Sequence, residues 1–212
     1  LSVLVVLDVD STLIQQEVIE LLANQLGVMP DVKKITDLAM AGELDFVQSL
    51  EQRVALLAGL PSDCFTKVLN HIEFTPGAEQ LIAAVHAIGG KVGAVSGGFS
   101  QILEPLARRL GLDYWLANEL EVADEKLTGK VIGSVICAEA KAKALKSWAV
   151  EAGVELENTI AIGDGANDIQ MLQAAGLAIA FRPKPILRKY ADLVIEENSL
   201  LPVIEKLKSR SS

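Results

Sequence analysis

The chain is poor in the residues that mark several common classes of protein. Its two cysteines, Cys64 and Cys137, have no CxxC partner and no histidine-rich spacing beside them. They read as reduced thiols of a cytoplasmic protein, which excludes a disulfide framework and a cysteine-based zinc site. Basic residues are in the minority: 19 Lys+Arg against 28 Asp+Glu give a net charge of −9. A binder of nucleic acid or of an anionic membrane needs a basic face, so neither partner is expected. Long hydrophobic runs are missing too. The opening apolar stretch, Ser2–Leu7, is too short to span a bilayer and meets Asp8 at once. It has no basic leader and no cleavage pattern, so it does not read as a signal peptide. A start at Leu1 in place of Met suggests trimming ahead of it. Repeats, charge runs and Gly/Ser-rich linkers are absent.

What the chain does have is apolar residues, 50% of its 212 positions. That fraction excludes disorder, and the length suits one main domain with a sizeable insertion. Val3–Leu7, Lys91–Val95, Thr159–Ile162, Leu177–Phe181 and Leu193–Ile195 are short apolar runs bounded by Gly, Asp or Pro, and they predict buried strands. Between them, 78–88, 101–110, 141–152 and 168–175 predict helices. Alternating strand and helix implies an α/β fold with a Rossmann-like, mostly parallel sheet covered on both faces, and ligands beyond the strands' carboxyl ends. Two stretches break the alternation. Residues 14–74 carry only helical patterns (17–26, 31–40, 44–58, 62–72) and predict a helical cap inserted after the first strand. Residues 1–13 and 75–212 then form the α/β core. Residues 117–136 predict a small antiparallel β-hairpin.

Four features carry chemistry. Asp8-Val9-Asp10-Ser11-Thr12 follows the first strand, and in extended chain Asp8 and Asp10 would face the same way. Close carboxylates call for a cation or a shared proton, although a solvated strand end or a helix cap fits the spacing equally well. Gly163-Asp164-Gly165-Ala166-Asn167-Asp168 follows another buried strand and offers hard oxygen donors of the kind Mg²⁺ takes; the spacing is not that of an EF-hand. Val95-Ser96-Gly97-Gly98-Phe99 predicts a turn whose amides could cradle an oxyanion. Lys141 opens a helix, against the macrodipole, where an anionic partner would account for it.

Together, Asp8-x-Asp10, Ser96, Lys141 and Asp164-x-x-x-Asp168 resemble the four motifs of the haloacid dehalogenase superfamily, in order and across most of the chain. DVDST followed by Glu17, the stretch Met40-Ala41-Gly42-Glu43-Leu44-Asp45-Phe46 with Arg53, VSGGF and GDGAND resemble more closely the phosphoserine phosphatases within it. The resemblance implies hydrolysis of O-phosphoserine to serine and phosphate, the last step of the phosphorylated route to serine. Asp8 would attack the phosphoryl group and form an aspartyl-phosphate, while Asp10 acts as general acid and then base. Mg²⁺ would be held by Asp8, Asp164 and the Asp10 backbone carbonyl, with Asp168 a ligand through water or an orienting group. Ser96, Gly97 and Lys141 would hold phosphoryl oxygens, and Asn167 would orient the site. Lys143, the competing lysine, reads as a surface group.

Specificity is expected in the cap. Phe46, Leu50, Arg53 and Leu57 fall on one helix face. Arg53 would fork onto the substrate carboxylate, Glu17 would take its ammonium, and Phe46 and Met40 would exclude water. Another small phosphomonoester, or transfer to an acceptor alcohol, would use the same core. A signalling receiver domain would place its phosphorylated Asp on a middle strand, which here ends in Ser96. Phe181-Arg182-Pro183-Lys184-Pro185 departs from the family's usual small or polar residue before Ala-Lys-Pro. His71 and His86 receive no role, and the sequence neither demands nor excludes a homodimer.

Overall fold

The structure is a computed structural model and describes residues 2–40 and 43–211. In chain order its strands are β1 (Leu4–Leu7), β2 (Lys91–Phe99), β3 (Tyr114–Ala123), β4 (Lys126–Ile132), β5 (Thr159–Gly163), β6 (Leu177–Phe181) and β7 (Leu193–Ile195). Its α-helices are α1 (Val18–Leu26), α2 (Met29–Met40), α3 (Phe46–Ala55), α4 (Cys64–Leu69), α5 (Ala78–Ala87), α6 (Ser100–Leu110), α7 (Ala138–Ala152), α8 (Ile169–Ala174) and α9 (Leu201–Ser211). The strands form one seven-stranded sheet in the order β4-β3-β2-β1-β5-β6-β7. Every pairing is parallel except β3 with β4.

Side-chain alternation along β1 divides the core between the two faces. Val5 and Leu7 pack with residues of α5, α6 and α9, while Leu4 and Val6 pack with α7 and α8. All four side chains are fully buried, as a central parallel strand requires. From β1 the chain builds outward through β2 and β3 on one side, then crosses back to β5 on the other. The sheet therefore has its topological switch point between β1 and β5.

Helices α1–α4 lie between β1 and α5. An antiparallel bridge pairs Ile14 with Phe74, and Gln15 N–H donates to Glu73 O at 2.9 Å, so the chain leaves and re-enters the core at one stem. Val18, Leu22, Leu50, Val54, Leu57 and Val68 belong to the same buried cluster as Val5 and Leu7. The helix expected over 44–58 is shorter, because Asp45 and Gln48 form a reciprocal capping box that sets its start at Phe46.

The expected antiparallel hairpin is present and is joined to the main sheet: β3 begins at Tyr114, pairs in parallel with β2, and only then turns back as β4 through Asp124 and Glu125, both at positive φ. One expectation needs correction: the run after Lys91–Val95 is not a turn, because β2 continues through Ser96-Gly97-Gly98 to Phe99, with a register shift against β3. Trp148 stacks on Tyr114 at 5.5 Å, whereas Trp115 is 37% exposed.

Candidate active site

The ends of β1, β2 and β5 converge at the switch point. Asp8 follows β1 directly, and its N–H donates to Ile162 O of β5 at 2.8 Å. Beyond it the chain does not stay extended, as the Asp8/Asp10 spacing had suggested. Val9–Leu13 is an irregular helical turn in which Ser11 sits at φ 58°, closed by Ile14 N–H donating to Val9 O. The turn is held because Asp10 Oδ2 accepts the otherwise unpaired Val18 N–H at the start of α1. Asp8 and Asp10 nonetheless line the same cavity.

Under Asp8 lies a buried ionic knot. Lys141 Nζ donates to Asp8 Oδ1 at 2.5 Å and to Asp168 Oδ1 at 2.7 Å, and its side chain is fully buried. Asp168 Oδ2 accepts the N–H groups of Asp164 and Gly165. With both oxygens engaged, Asp168 organises the β5–α8 turn. Lys141 stands four residues into α7 instead of opening it, and its two carboxylate partners account for a buried cation there. It bridges Asp8 and Asp168, next to the nucleophile position where a phosphoryl group would arrive. Burial alone would lower the ammonium's pKa, but Asp168 and Asp8 raise it on balance. Lys143 is exposed, as expected.

Asp8, Asp164 and Asp168 bring ligand atoms within 4.8 Å of one another, all three buried. Burial and Asp168 push the Asp8 carboxyl well above the usual carboxylate range, and Lys141 offsets this only in part. Asp164 rises to about 6, chiefly through burial. Three buried carboxylates converge here, two of them on the Lys141 ammonium, and every donor is a hard oxygen. A divalent cation fits that set. The Asp10 side chain is not part of it.

On the β2 side, Ser96 Oγ accepts Gly98 N–H at 2.7 Å. A Cβ on Gly98 would fall 2.9 Å from Ser96 Oγ and 3.3 Å from Asp10 Oδ1, so only glycine lets these groups meet. Asn118 is buried; its Nδ2 donates to Gly97 O and its Oδ1 accepts Ile136 N–H, which fixes the bulged end of β2. Sequence reasoning missed Asn118, since a lone Asn within a hairpin carries no signal. Asp10 Oδ1 is buried with no hydrogen-bond partner among the described residues. Burial first, and Glu17 second, push the Asp10 carboxyl up to about 7.

These groups form the floor of a cavity of ≈ 710 Å³ whose other wall is the helical insertion. Glu17, Phe46, Leu50, Arg53 and Asn167 line it, together with Ser96, Gly97 and Asp164. Glu17 Oε1 accepts the Ser11 hydroxyl at 2.7 Å. Arg53 donates through Nε to Ser49 O and makes no ion pair among the described residues. Burial lowers its pKa, and Glu17 and Asp10 work the other way. Met40 ends α2, but its side chain, like Ala41 and Gly42, lies outside the described residues. Lys184, unassigned by sequence, also lines the cavity, with Nζ 3.7 Å from Asp164 Oδ2.

A parallel sheet with paired aspartates at its switch point, a buried lysine beneath them and a helical insertion above define a phosphoryl-transfer hydrolase. The sequence pattern of the haloacid dehalogenase-like hydrolases matches residues 5–173. Within that class the chain belongs to the phosphoserine phosphatase family. It is 52% identical over 204 residues to the phosphoserine phosphatase of Streptococcus thermophilus, covering 96% of this chain and 95% of that one. A substrate-bound phosphoserine phosphatase structure superposes with a TM-score of 0.92 at 45% identity, covering 97% and 98% of the two chains. A phospho-aspartyl intermediate analogue of phosphoserine phosphatase gives a TM-score of 0.91, with the same identity and coverage. Among the described residues, no helix is long and apolar enough to cross a membrane.

Proposed function

We propose that the cavity binds O-phosphoserine between Arg53 and Glu17 on the cap side and Asp8 on the core side, and that Asp8 takes the phosphoryl group. The observation that carries this reading is the placement of Asp8 and Asp10 on the floor of a cavity whose opposite wall presents one cation and one carboxylate. A zwitterionic amino-acid backbone needs both charges, and a sugar phosphate needs neither. Asp8, anchored through Oδ1 by Lys141, presents its other oxygen for in-line attack. Asp10, with its pKa near 7, can enter the reaction protonated, give its proton to the departing seryl oxygen and then take one from water. Ser96, Gly97 and Asn167 surround the place where the phosphoryl oxygens would lie. Phe46 closes over it.

Asp8 and Asp164, with the Asp10 carbonyl, would hold Mg²⁺, and Asp168 would orient them. When bound, the ion neutralises the charge that otherwise repels a phosphate dianion from an anionic nucleophile. The products are serine and phosphate, which places the reaction last in the phosphorylated route to serine, in the cytoplasm.

Phosphate release from O-phosphoserine, O-phosphothreonine, a sugar phosphate and a nucleotide, with Mg²⁺ or EDTA, tests this. Strong Mg²⁺-dependent preference for phosphoserine that vanishes in Asp8→Asn supports the reading. Preference for the sugar phosphate would keep Asp8 as nucleophile and remove Arg53 and Glu17 from it.

A further inference from the structure

Arg182 and Pro183 are the positions at which the loop after β6 departs from the pattern of the family, and the cavity floor does not account for them. Arg182 sits at φ 42°, in the left-handed region that glycine adopts freely and that costs any other residue energy. The proline after it favours extended backbone instead. A residue kept in such a conformation points to contacts that hold it there. They lead to the cap. Arg182 Nη1 donates to Asn198 Oδ1 at 3.0 Å, Asn198 Nδ2 donates to Gln15 Oε1 at 3.1 Å, and Gln15 Nε2 donates to Glu73 Oε2 at 3.2 Å. Gln15 and Glu73 are the two sides of the stem through which the insertion leaves and re-enters the core. We propose that Arg182 is a positioning residue, which braces this stem through Asn198 and Gln15 and so sets Glu17 and Arg53 at the separation from Asp8 that the substrate spans. The inference rests on the reading of the cavity as an O-phosphoserine site.

The brace has a fixed end and a movable one. At the fixed end the loop is tied to the sheet: Arg182 N–H donates to Ile195 O at 2.7 Å and Lys184 N–H to Asp164 O at 2.8 Å. Pro183 between them is buried, and Pro185 opens the following turn, Pro185–Tyr190. Two prolines and two hydrogen bonds therefore fix where the Arg182 side chain leaves the core. At the other end, Gln15 stands two residues before Glu17, so a shift at Gln15 reaches Glu17 across at most about 7 Å of chain. The bridge between Ile14 and Phe74 and the bond from Gln15 N–H to Glu73 O hold the two sides of the stem to each other; the Arg182 link holds the pair to the β6 loop. Each of its side-chain bonds is exposed and modest by itself, so the link biases the placement of the cap without locking it. A substrate that needs groups from both halves binds in proportion to the fraction of molecules whose halves are in register. A ligand held by the floor alone is indifferent to that fraction.

The test is steady-state kinetics of Arg182→Gly, Asn198→Ala and the double variant on phosphoserine and on p-nitrophenyl phosphate. Arg108→Gln, an exposed arginine on α6 paired with Glu104, is the control for loss of a surface charge. Glycine accepts φ 42° freely, so Arg182→Gly should fold as the parent does, and Asn198→Ala breaks the same link without touching that backbone. Each single variant is expected to raise KM for phosphoserine about three- to tenfold at unaltered kcat, the value of one exposed hydrogen bond. The double variant should lose no more than either alone, and KM for p-nitrophenyl phosphate should not move. A rise on both substrates would mean that the guanidinium acts as a general cation, additive losses would mean that the two residues act apart, and unchanged KM would mean that the link does not place the cap; each overturns the proposal. If the parent protein hydrolyses no phosphomonoester, the functional reading has failed separately. Hydrogen exchange of the stem amides of Gln15 and Thr75, which needs no substrate, then still decides the brace: it should quicken in Arg182→Gly and in Asn198→Ala, and equal rates in parent and variants would overturn it.

Discussion

The ring of Phe46 in the insertion stands directly over Gly97 in the core: a Cβ added to Gly97 would lie 2.8 Å from Phe46 Cζ. The contact joins the start of α3 to the bulged end of β2, across the mouth of the cavity. A methyl group at Gly97 must therefore displace the ring or spoil the placement of Ser96. Gly97→Ala should lower kcat/KM for phosphoserine by roughly ten- to a hundredfold, as ångström-scale misplacement does. Adding Phe46→Leu should recover part of the loss. Recovery absent from the double variant would mean that the methyl group acts on Ser96 alone.

Lys141 carries the charge balance of the floor. Lys141→Met leaves Asp8 and Asp168 buried without their common partner. Unfolding free energy at neutral pH should fall by about 3–5 kcal/mol. Urea titration measures it, and repeating it at lower pH should show a smaller deficit, because protonation removes the unpaired charge. An equal deficit at both pH values would point to lost packing.

Asp10 sets a pH limit. Its carboxyl, pushed up to about 7 by burial and by Glu17, must be protonated when the seryl oxygen leaves. Its acid form is present below that value and lost above it, so kcat/KM should fall as pH rises through about 7. Asp10→Asn should abolish this limb and cost roughly 10²–10⁴ in rate. A pH–rate profile for both proteins is the check, and a limb that survives in Asp10→Asn belongs to another group.

Arg53 and Glu17 should act chiefly on substrate choice, and loss of the Glu17 charge should in addition move the Asp10 limb to lower pH, because that charge helps to raise the Asp10 carboxyl. Arg53→Ala and Glu17→Gln are each expected to raise KM for phosphoserine about ten- to a hundredfold, the value of a hydrogen bond to a charged group. Turnover of p-nitrophenyl phosphate, which has neither an ammonium nor a carboxylate, should stay within about threefold of the parent. Equal losses on both substrates would move Arg53 and Glu17 out of specificity.

The alternation of apolar runs made the sheet legible, because a strand buried on both faces has to be almost wholly apolar, as β1 and β5 are. Asp8, Ser96 and Asp164 were legible for the same reason, each sitting at the end of such a run. The bridge that Lys141 makes between Asp8 and Asp168 was not legible, since nothing along the chain says that a lysine 133 residues from Asp8 ends 2.5 Å from it. The continuation of β2 through Ser96-Gly97-Gly98 was hidden because glycines ordinarily end strands; here Asn118 and the β3 register shift hold them extended. Lys184 was hidden because its cavity position depends on a backbone bond to Asp164, which no local pattern announces.

One further consequence lies at the far edge of the sheet. β4 is an outer strand, yet its Leu127 exchanges both backbone hydrogen bonds with the insertion, accepting Gly59 N–H at 2.8 Å and donating to Leu60 O at 2.9 Å, while Ser62 N–H donates to Glu125 O. The helical insertion that forms the cavity roof thus also shields an edge that could otherwise recruit a strand from another molecule. A shortened chain lacking the insertion would present that edge uncovered and would be prone to self-association, so the roof guards solubility as well as specificity.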